Sequence, residues 1–246
     1  MSERIGPRTL LGMLTPSSNT VLEPLTSAML AGLPDVTAHF GRFPVREISL
    51  GEAALGQFES APILAAARLL ADARVGAIVW NGTSSGWLGF GADEALCRAI
   101  ATETGIPAGT SVLALNEIFA LQGVRRFGLV TPYLGEIQGR IVAHYAEAGF
   151  VCAAERHLGD RGNFSFSEYG QGLIAAMIRE VAEAKPDAIT VFCTNFRGAA
   201  VVEALEAETG IPIYDTVATG LWKGMKLAGA DPGRIRGWGS LFRELA

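Results

Sequence analysis

The sequence predicts an α/β protein of two similar lobes, each a mainly parallel sheet flanked by helices, related by a pseudo-twofold axis. Three observations lead there. Short apolar runs alternate with helical segments of about ten or more residues, which is the mark of βαβ units. Landmarks of the first half return in the same order in the second: Leu14-Thr15-Pro16-Ser17 as Val130-Thr131-Pro132-Tyr133, and Ala77 to Gly82 as Ala188 to Cys193. The pentapeptide Glu103-Thr104-Gly105-Ile106-Pro107 recurs unchanged as Glu208-Thr209-Gly210-Ile211-Pro212. One lobe is expected to comprise residues 1–112 with 217–246, the other residues 113–216, with a cleft between them.

In chain order, Thr9 to Pro16 is an apolar run closed by proline and reads as a buried strand. Ser17-Ser18-Asn19-Thr20 follows and offers a cap for a helix from Val21 to Leu30. Val36 to Phe43 alternates as a second strand, and Gly51 to Ala73, rich in Ala and Leu, is helical. Val75 to Trp80 is a strand that opens into Gly82-Thr83-Ser84-Ser85. Asp93 to Thr104 is a helix stopped at Gly105-Ile106-Pro107, and Val112 to Gln122 is another, ended by Gly123. The pattern restarts at Arg126 to Tyr133. A helix from Gly135 to Ala148, a strand from Phe150 to Arg156 and a helix from Tyr169 to Ala184 come next. The strand from Asp187 then runs out through Cys193-Thr194-Asn195, followed by helices from Gly198 to Thr209 and from Thr216 to Leu227.

The chain has 246 residues, 49% hydrophobic and 18% charged, so a sizeable core is available. A net charge of −5 without a basic cluster argues against nucleic acid and against anionic membrane surfaces. No apolar run reaches the roughly 18–20 residues of a membrane span, and Met1 to Arg8 contains no apolar signal region. Cys97, Cys152 and Cys193 are widely spaced and form no CxxC pair. That favours free thiols in a reducing cytoplasm over disulfides or zinc. His39, His144 and His157 are scattered without metal-ligand spacing. A homo-oligomer is compatible with these features.

In open parallel sheets, ligands bind beyond the carboxyl ends of the strands. Two facing lobes bring four such ends to one cleft: Ser17-Ser18-Asn19, Gly82-Thr83-Ser84-Ser85, Thr131-Pro132-Tyr133 and Cys193-Thr194-Asn195. These loops carry hydroxyls, amides and backbone N–H groups but no carboxylate and no histidine. Such a lining suits a substrate carboxylate or a developing oxyanion and lacks the base of a Ser-His-Asp triad. The same Ser and Thr residues serve equally well as helix caps. Cys193, at a strand exit, is expected to be an acid/base group or nucleophile, with Gly82 as its counterpart in the first lobe. Cys97 and Cys152 are expected to pack. Tyr133 is expected to reach the cleft, Asn163 is either a turn residue or a cleft donor, and Arg42 reads as a solvated charge. Trp87, Phe90, Phe164 and Phe166 either line a pocket or pack.

Taken in this order, the motifs resemble the aspartate/glutamate racemase superfamily over nearly the whole chain, in the branch containing arylmalonate decarboxylase and maleate cis-trans isomerase. Gly82-Thr83-Ser84, the segment Arg125 to Tyr133, Cys193 and the tail Gly237-Trp238-Gly239-Ser240-Leu241-Phe242 are similar to the decarboxylase. Pro16-Ser17-Ser18-Asn19-Thr20 and Asn163 are similar to the isomerase. The superfamily's racemases have one cysteine in each lobe, and the isomerase also has two. The decarboxylase keeps only the second-lobe cysteine, the pattern found here at Gly82 and Cys193.

The resemblance implies loss of CO₂ from a malonate through an enediolate that Cys193 protonates on one face. It implies a substrate-binding set of Asn19, Gly82, Thr83, Ser84, Tyr133, Asn163 and Thr194, and neither cofactor nor metal. A maleate-isomerase-like enzyme and a non-catalytic dicarboxylate-binding protein are the alternatives. Moving a proton between opposite faces takes two acid/base groups, so Gly82→Cys is expected to introduce racemase activity.

Overall fold

The computed structural model describes residues 6, 8–45, 48 and 60–245. The first sheet holds β1 (Thr9–Pro16), β2 (Val36–Phe43), β3 (Ala77–Trp80) and β4 (Ala108–Thr110), in the order β2-β1-β3-β4 and all parallel. The second holds β5 (Arg126–Thr131), β6 (Val151–His157), β7 (Ala188–Val191) and β8 (Ile213–Asp215), in the order β6-β5-β7-β8 and again all parallel. The helices are α1 (Leu22–Leu30), α2 (Ser60–Asp72), α3 (Ser85–Leu88), α4 (Phe90–Thr104), α5 (Ser111–Leu121), α6 (Gly135–Glu147), α7 (Gln171–Ala182), α8 (Val202–Thr209), α9 (Thr216–Leu227) and α10 (Ser240–Glu244). The architecture is the two-lobed α/β fold the sequence predicts.

The repeat extends to individual hydrogen bonds. In each copy of the Glu-Thr-Gly-Ile-Pro pentapeptide, the threonine hydroxyl donates to the carbonyl four residues back, Thr104 to Ile100 and Thr209 to Leu205, both at 2.7 Å. The glycine then ends the helix with a positive φ of 70°, at Gly105 and at Gly210, a conformation that glycine adopts without Cβ strain. The proline carbonyl accepts the first N–H of the neighbouring strand pair, Ile78 to Pro107 at 3.0 Å and Ile189 to Pro212 at 2.9 Å. The two central strand exits match as well. Asn81 N–H donates to Leu14 at 3.1 Å and Phe192 N–H to Val130 at 2.9 Å, so Gly82 and Cys193 occupy equivalent places, two residues beyond β3 and β7.

Four elements were not anticipated. β4 and β8 have three residues each, too few to show a period, and the pentapeptide that reads as a helix stop is also their lead-in. The short helices α3 and α10 begin directly after Ser84 and Gly239, where the polar, Gly-rich composition reads as loop. Residues 51–59 of the helix expected from Gly51 lie outside the described residues, and α2 spans Ser60–Asp72. Among the described residues no helix is long and apolar enough to cross a membrane.

Helix α9 leaves the last strand of the second sheet and packs on β3, β4 and α5 of the first half. Most of its residues are buried. Its cap is Asp215, whose Oδ1 accepts the Val217 N–H at 2.8 Å, and the Thr219 hydroxyl donates to the Ser111 carbonyl at 2.8 Å. Close approach is possible because residue 220 is glycine: a Cβ there would lie 2.6 Å from Asn81 Oδ1 and 2.7 Å from Ser111 Oγ. Gly220→Ala is therefore expected to destabilise the protein by about 1–3 kcal/mol through overpacking, measured by urea unfolding. Gly139→Ala, at an exposed position of α6 with nothing within 4 Å of the new Cβ, is expected to stabilise it by roughly 0.5–1 kcal/mol through helix propensity.

Candidate active site

Four strand exits surround one small cavity of about 20 Å³, lined by Pro16, Val45, Ile48, Trp80, Gly82, Thr83, Ser84, Trp87, Tyr133, Asn163, Cys193 and Thr194. That is room for about one water molecule. The lining combines polar groups with the apolar side chains of Pro16, Val45, Ile48, Trp80 and Trp87. None of the side chains lining it is charged.

Cys193 is buried and lies beside the Tyr133 hydroxyl and the Asn195 backbone N–H, both of which favour its thiolate. Tyr133 OH and Thr83 Oγ1 are 2.6 Å apart, so the thiol, phenol and threonine hydroxyl form a chain that joins the two lobes. The Tyr133 ring is held edge-on between Trp87 (centroids 5.3 Å apart) and Phe166 (5.5 Å). Burial pushes the Cys193 thiol up to about 12. The hydrogen bonds from Tyr133 and Asn195 pull it down less strongly, and the nearby Asp215 carboxyl adds to the rise. Burial likewise holds the Tyr133 phenol well above its ordinary value. At neutral pH the site therefore contains a neutral thiol beside a neutral phenol, both able to donate.

Asn19 does not line the cavity. Its Oδ1 accepts the N–H groups of Val21 and Leu22, both at 2.9 Å, and so caps α1. Its Nδ2 donates to Thr194 Oγ1 at 3.2 Å, and that hydroxyl donates to the Asn81 carbonyl at 2.9 Å. A second bridge runs from Thr20 N–H to Asn195 Oδ1 at 2.9 Å, and from Asn195 Nδ2 to the Asn163 carbonyl at 2.5 Å. Asn163 Nδ2 donates to Ser18 Oγ at 2.8 Å, which donates to the Val45 carbonyl at 2.7 Å. Asn163 thus lines the cavity and ties the segment after β2 to the second lobe. Ile48 is held similarly, its N–H donating to the Arg161 carbonyl at 3.1 Å.

Gly82, Thr83, Ser84, Tyr133, Asn163, Cys193 and Thr194 are brought together as expected, while Asn19 sits behind Thr194 and acts on the site through it. Arg42, expected to be solvated, is only partly so. Its Nη1 donates to the carbonyls of Ser17 at 2.9 Å and Asn19 at 3.0 Å while its guanidinium pairs with Glu23, which fixes the loop after β1. Phe164 is 55% exposed and forms no part of the cavity. Pro16, Val45, Ile48 and Trp80 were not singled out in the sequence. The one local signal among them is a tryptophan ending a strand two residues before Gly82. That tryptophan also changes the outlook for Gly82→Cys: a Cβ at residue 82 would lie 1.9 Å from Trp80 Cζ2, so the substitution requires a buried indole to move.

A family model described as arylmalonate decarboxylase matches residues 21–242. The arylmalonate decarboxylase of Bordetella bronchiseptica is 31% identical over 167 residues, covering 66% of this chain and 69% of that protein. A maleate isomerase of Nocardia farcinica is 24% identical over 244 residues, covering 95% of each. A mutant maleate cis-trans isomerase from Nocardia farcinica, solved with a covalently bound succinylcysteine intermediate, superposes with a TM-score of 0.88 at 23% identity, over 97% of this chain and 99% of that one.

Two measurements test the electrostatics. The ultraviolet thiolate absorbance that distinguishes wild type from Cys193→Ser is expected to develop only above about pH 10, and its appearance near pH 8 would contradict a thiol raised to about 12. Asp215 is buried, and burial pushes its carboxyl up to about 7, against the backbone N–H groups of Val217, Ala218 and Ala199. The folded state thus holds this proton more tightly than the unfolded chain, so Asp215 loses stability for the protein as pH rises from about 4 through 7. Asp215→Asn keeps a capping oxygen and removes that slope. Relative to wild type, the variant is expected to gain on the order of 2 kcal/mol between pH 5 and pH 8, read from urea unfolding at the two pH values.

Proposed function

The chain belongs to the arylmalonate decarboxylase family, and we propose that within it the Cys193 site removes CO₂ from a malonate-type dicarboxylate. The observation that carries this reading is the unequal pair of strand exits, a protonated thiol at Cys193 and a glycine covered by indole at Gly82. One carboxylate of the substrate accepts hydrogen bonds from the hydroxyls of Thr83, Ser84 and Tyr133 and from the backbone beside Thr194. The other lies against Pro16, Val45, Ile48, Trp80 and Trp87, where desolvation favours loss of its charge as neutral CO₂.

The bond from the α-carbon to that carboxylate breaks, CO₂ leaves, and the electron pair passes into the retained carboxylate as an enediolate. Charge that develops on the retained carboxylate is stabilised by hydrogen bonds from the hydroxyls of this lining. The Cys193 S–H then gives its proton to the α-carbon, and the thiolate left behind takes a proton from solvent once product departs. A thiol held neutral is suited to this donor role, and a single donor delivers the proton to one face.

The isomerase reading rests on Asn163 in the cavity lining and Asn19 behind Thr194, together with maleate isomerases that align over the whole chain. It asks more of Cys193, because addition to an alkene needs the thiolate, which burial disfavours.

Incubating the enzyme separately with methylmalonate, phenylmalonate and maleate, with proton NMR and CO₂ detection, separates the readings. Decarboxylation of a malonate is expected, with Cys193→Ser losing at least about 100-fold in kcat while still binding substrate. Fumarate formed from maleate without CO₂ release would replace this reading with isomerisation. Tight binding of the acids without any turnover would make the protein a dicarboxylate binder.

A further inference from the structure

Beside the Cys193 cavity lies a second and larger one, of about 280 Å³, lined among others by Ile63 of α2, Leu88 of α3, and Ala92, Asp93 and Leu96 of α4. Two side chains, Trp80 and Ser84, line both cavities. Trp80 is 1% exposed and braced by Phe43, with ring centroids 5.0 Å apart and planes at 48°. Its six-membered ring lies on Gly82: a Cβ at residue 82 would meet Cζ2 at 1.9 Å and Cη2 at 2.4 Å. The indole therefore occupies the volume into which a side chain equivalent to Cys193 would project from the first lobe.

Gly82, Trp80 and Cys193 line the same small cavity, so an α-carbon within reach of the Cys193 thiol also lies beside this ring. We infer that Trp80 is the specificity-determining residue of the site: it limits the α-substituent of the dicarboxylate to a compact aliphatic group and closes off the neighbouring cavity, which would otherwise receive an aryl-sized one. The term malonate rests on the decarboxylase reading above, but the size limit does not, because it applies to any dicarboxylate placed between Gly82 and Cys193. Shortening Trp80 joins a pocket of about 20 Å³ to one of about 280 Å³, without touching the hydroxyls that hold the carboxylate.

The test uses binding as well as turnover. In the Cys193→Ser background, calorimetry is expected to show methylmalonate bound more tightly than phenylmalonate. Trp80→Ala is expected to shift that preference toward phenylmalonate by about tenfold or more. Trp80→Phe, which keeps an aromatic side chain against Phe43 but removes the indole's outer ring, is expected to give a smaller shift in the same direction. With Cys193 present, the ratio of kcat/KM for the two malonates is expected to follow the binding ratio. A wild-type site that binds phenylmalonate as well as methylmalonate overturns the inference without recourse to a variant. So does an unchanged preference in folded Trp80→Ala or Trp80→Phe. If the binding preference shifts while neither malonate loses CO₂, the assignment of Trp80 stands and the decarboxylase reading falls.

Discussion

The site depends on a buried bridge of amides and hydroxyls between the lobes. Asn19 holds the start of α1 with one end of its side chain and Thr194 with the other, and Thr194 in turn holds the carbonyl next to Gly82. Asn195 and Asn163 make a parallel connection to Thr20 and Ser18. Asn19, Asn163, Thr194 and Asn195 are buried, so a lost partner there leaves a polar group without water to replace it, at a penalty of about 1–3 kcal/mol. A network of this kind tolerates few alternative arrangements. It fixes the distance between two otherwise separate sheets, and with it the position of the thiol relative to the hydroxyls of Thr83 and Ser84.

That rigidity has an electrostatic counterpart. The side chains lining the cavity carry no charge, and burial keeps Cys193 and Tyr133 protonated. If the proposed reaction holds, the dicarboxylate itself brings the dominant charges into this space. Neutral donors can hold one of those charges, while an apolar wall offers nothing to the other. A lining that mixes neutral donors with apolar side chains would, under the proposed reaction, stabilise the two ends of such a substrate unequally.

Much of this was legible in the sequence, and the legible parts are local. The duplicated pentapeptide predicts a repeat because the same five residues make the same hydrogen bonds wherever they fold. Cys193 and Gly82 could be paired because strand exits have a recognisable apolar-to-polar transition. The short strands β4 and β8 escaped notice because three residues show no period and owe their pairing to a neighbouring strand. The roles of Val45, Ile48 and Trp80 escaped notice for another reason: an apolar wall becomes a substrate wall only when distant segments close around it. Asn19 was legible as a residue of interest and misplaced by one layer, since a motif identifies a side chain without saying whether it faces the ligand or the residue behind the ligand.

The contact between Trp80 and Gly82 also bears on how such a site changes over generations. In a fold whose two halves repeat so closely, restoring a second thiol to the first lobe looks like a one-residue step. Here that step meets a ring supplied by the residue two positions earlier, and substitutions at sites in direct contact do not act independently. A cysteine arriving first disrupts the packing, and a smaller residue arriving first at position 80 leaves a cavity in the core. Each single change therefore carries a packing cost that the paired change is expected to reduce, so positions 80 and 82 are coupled rather than independent.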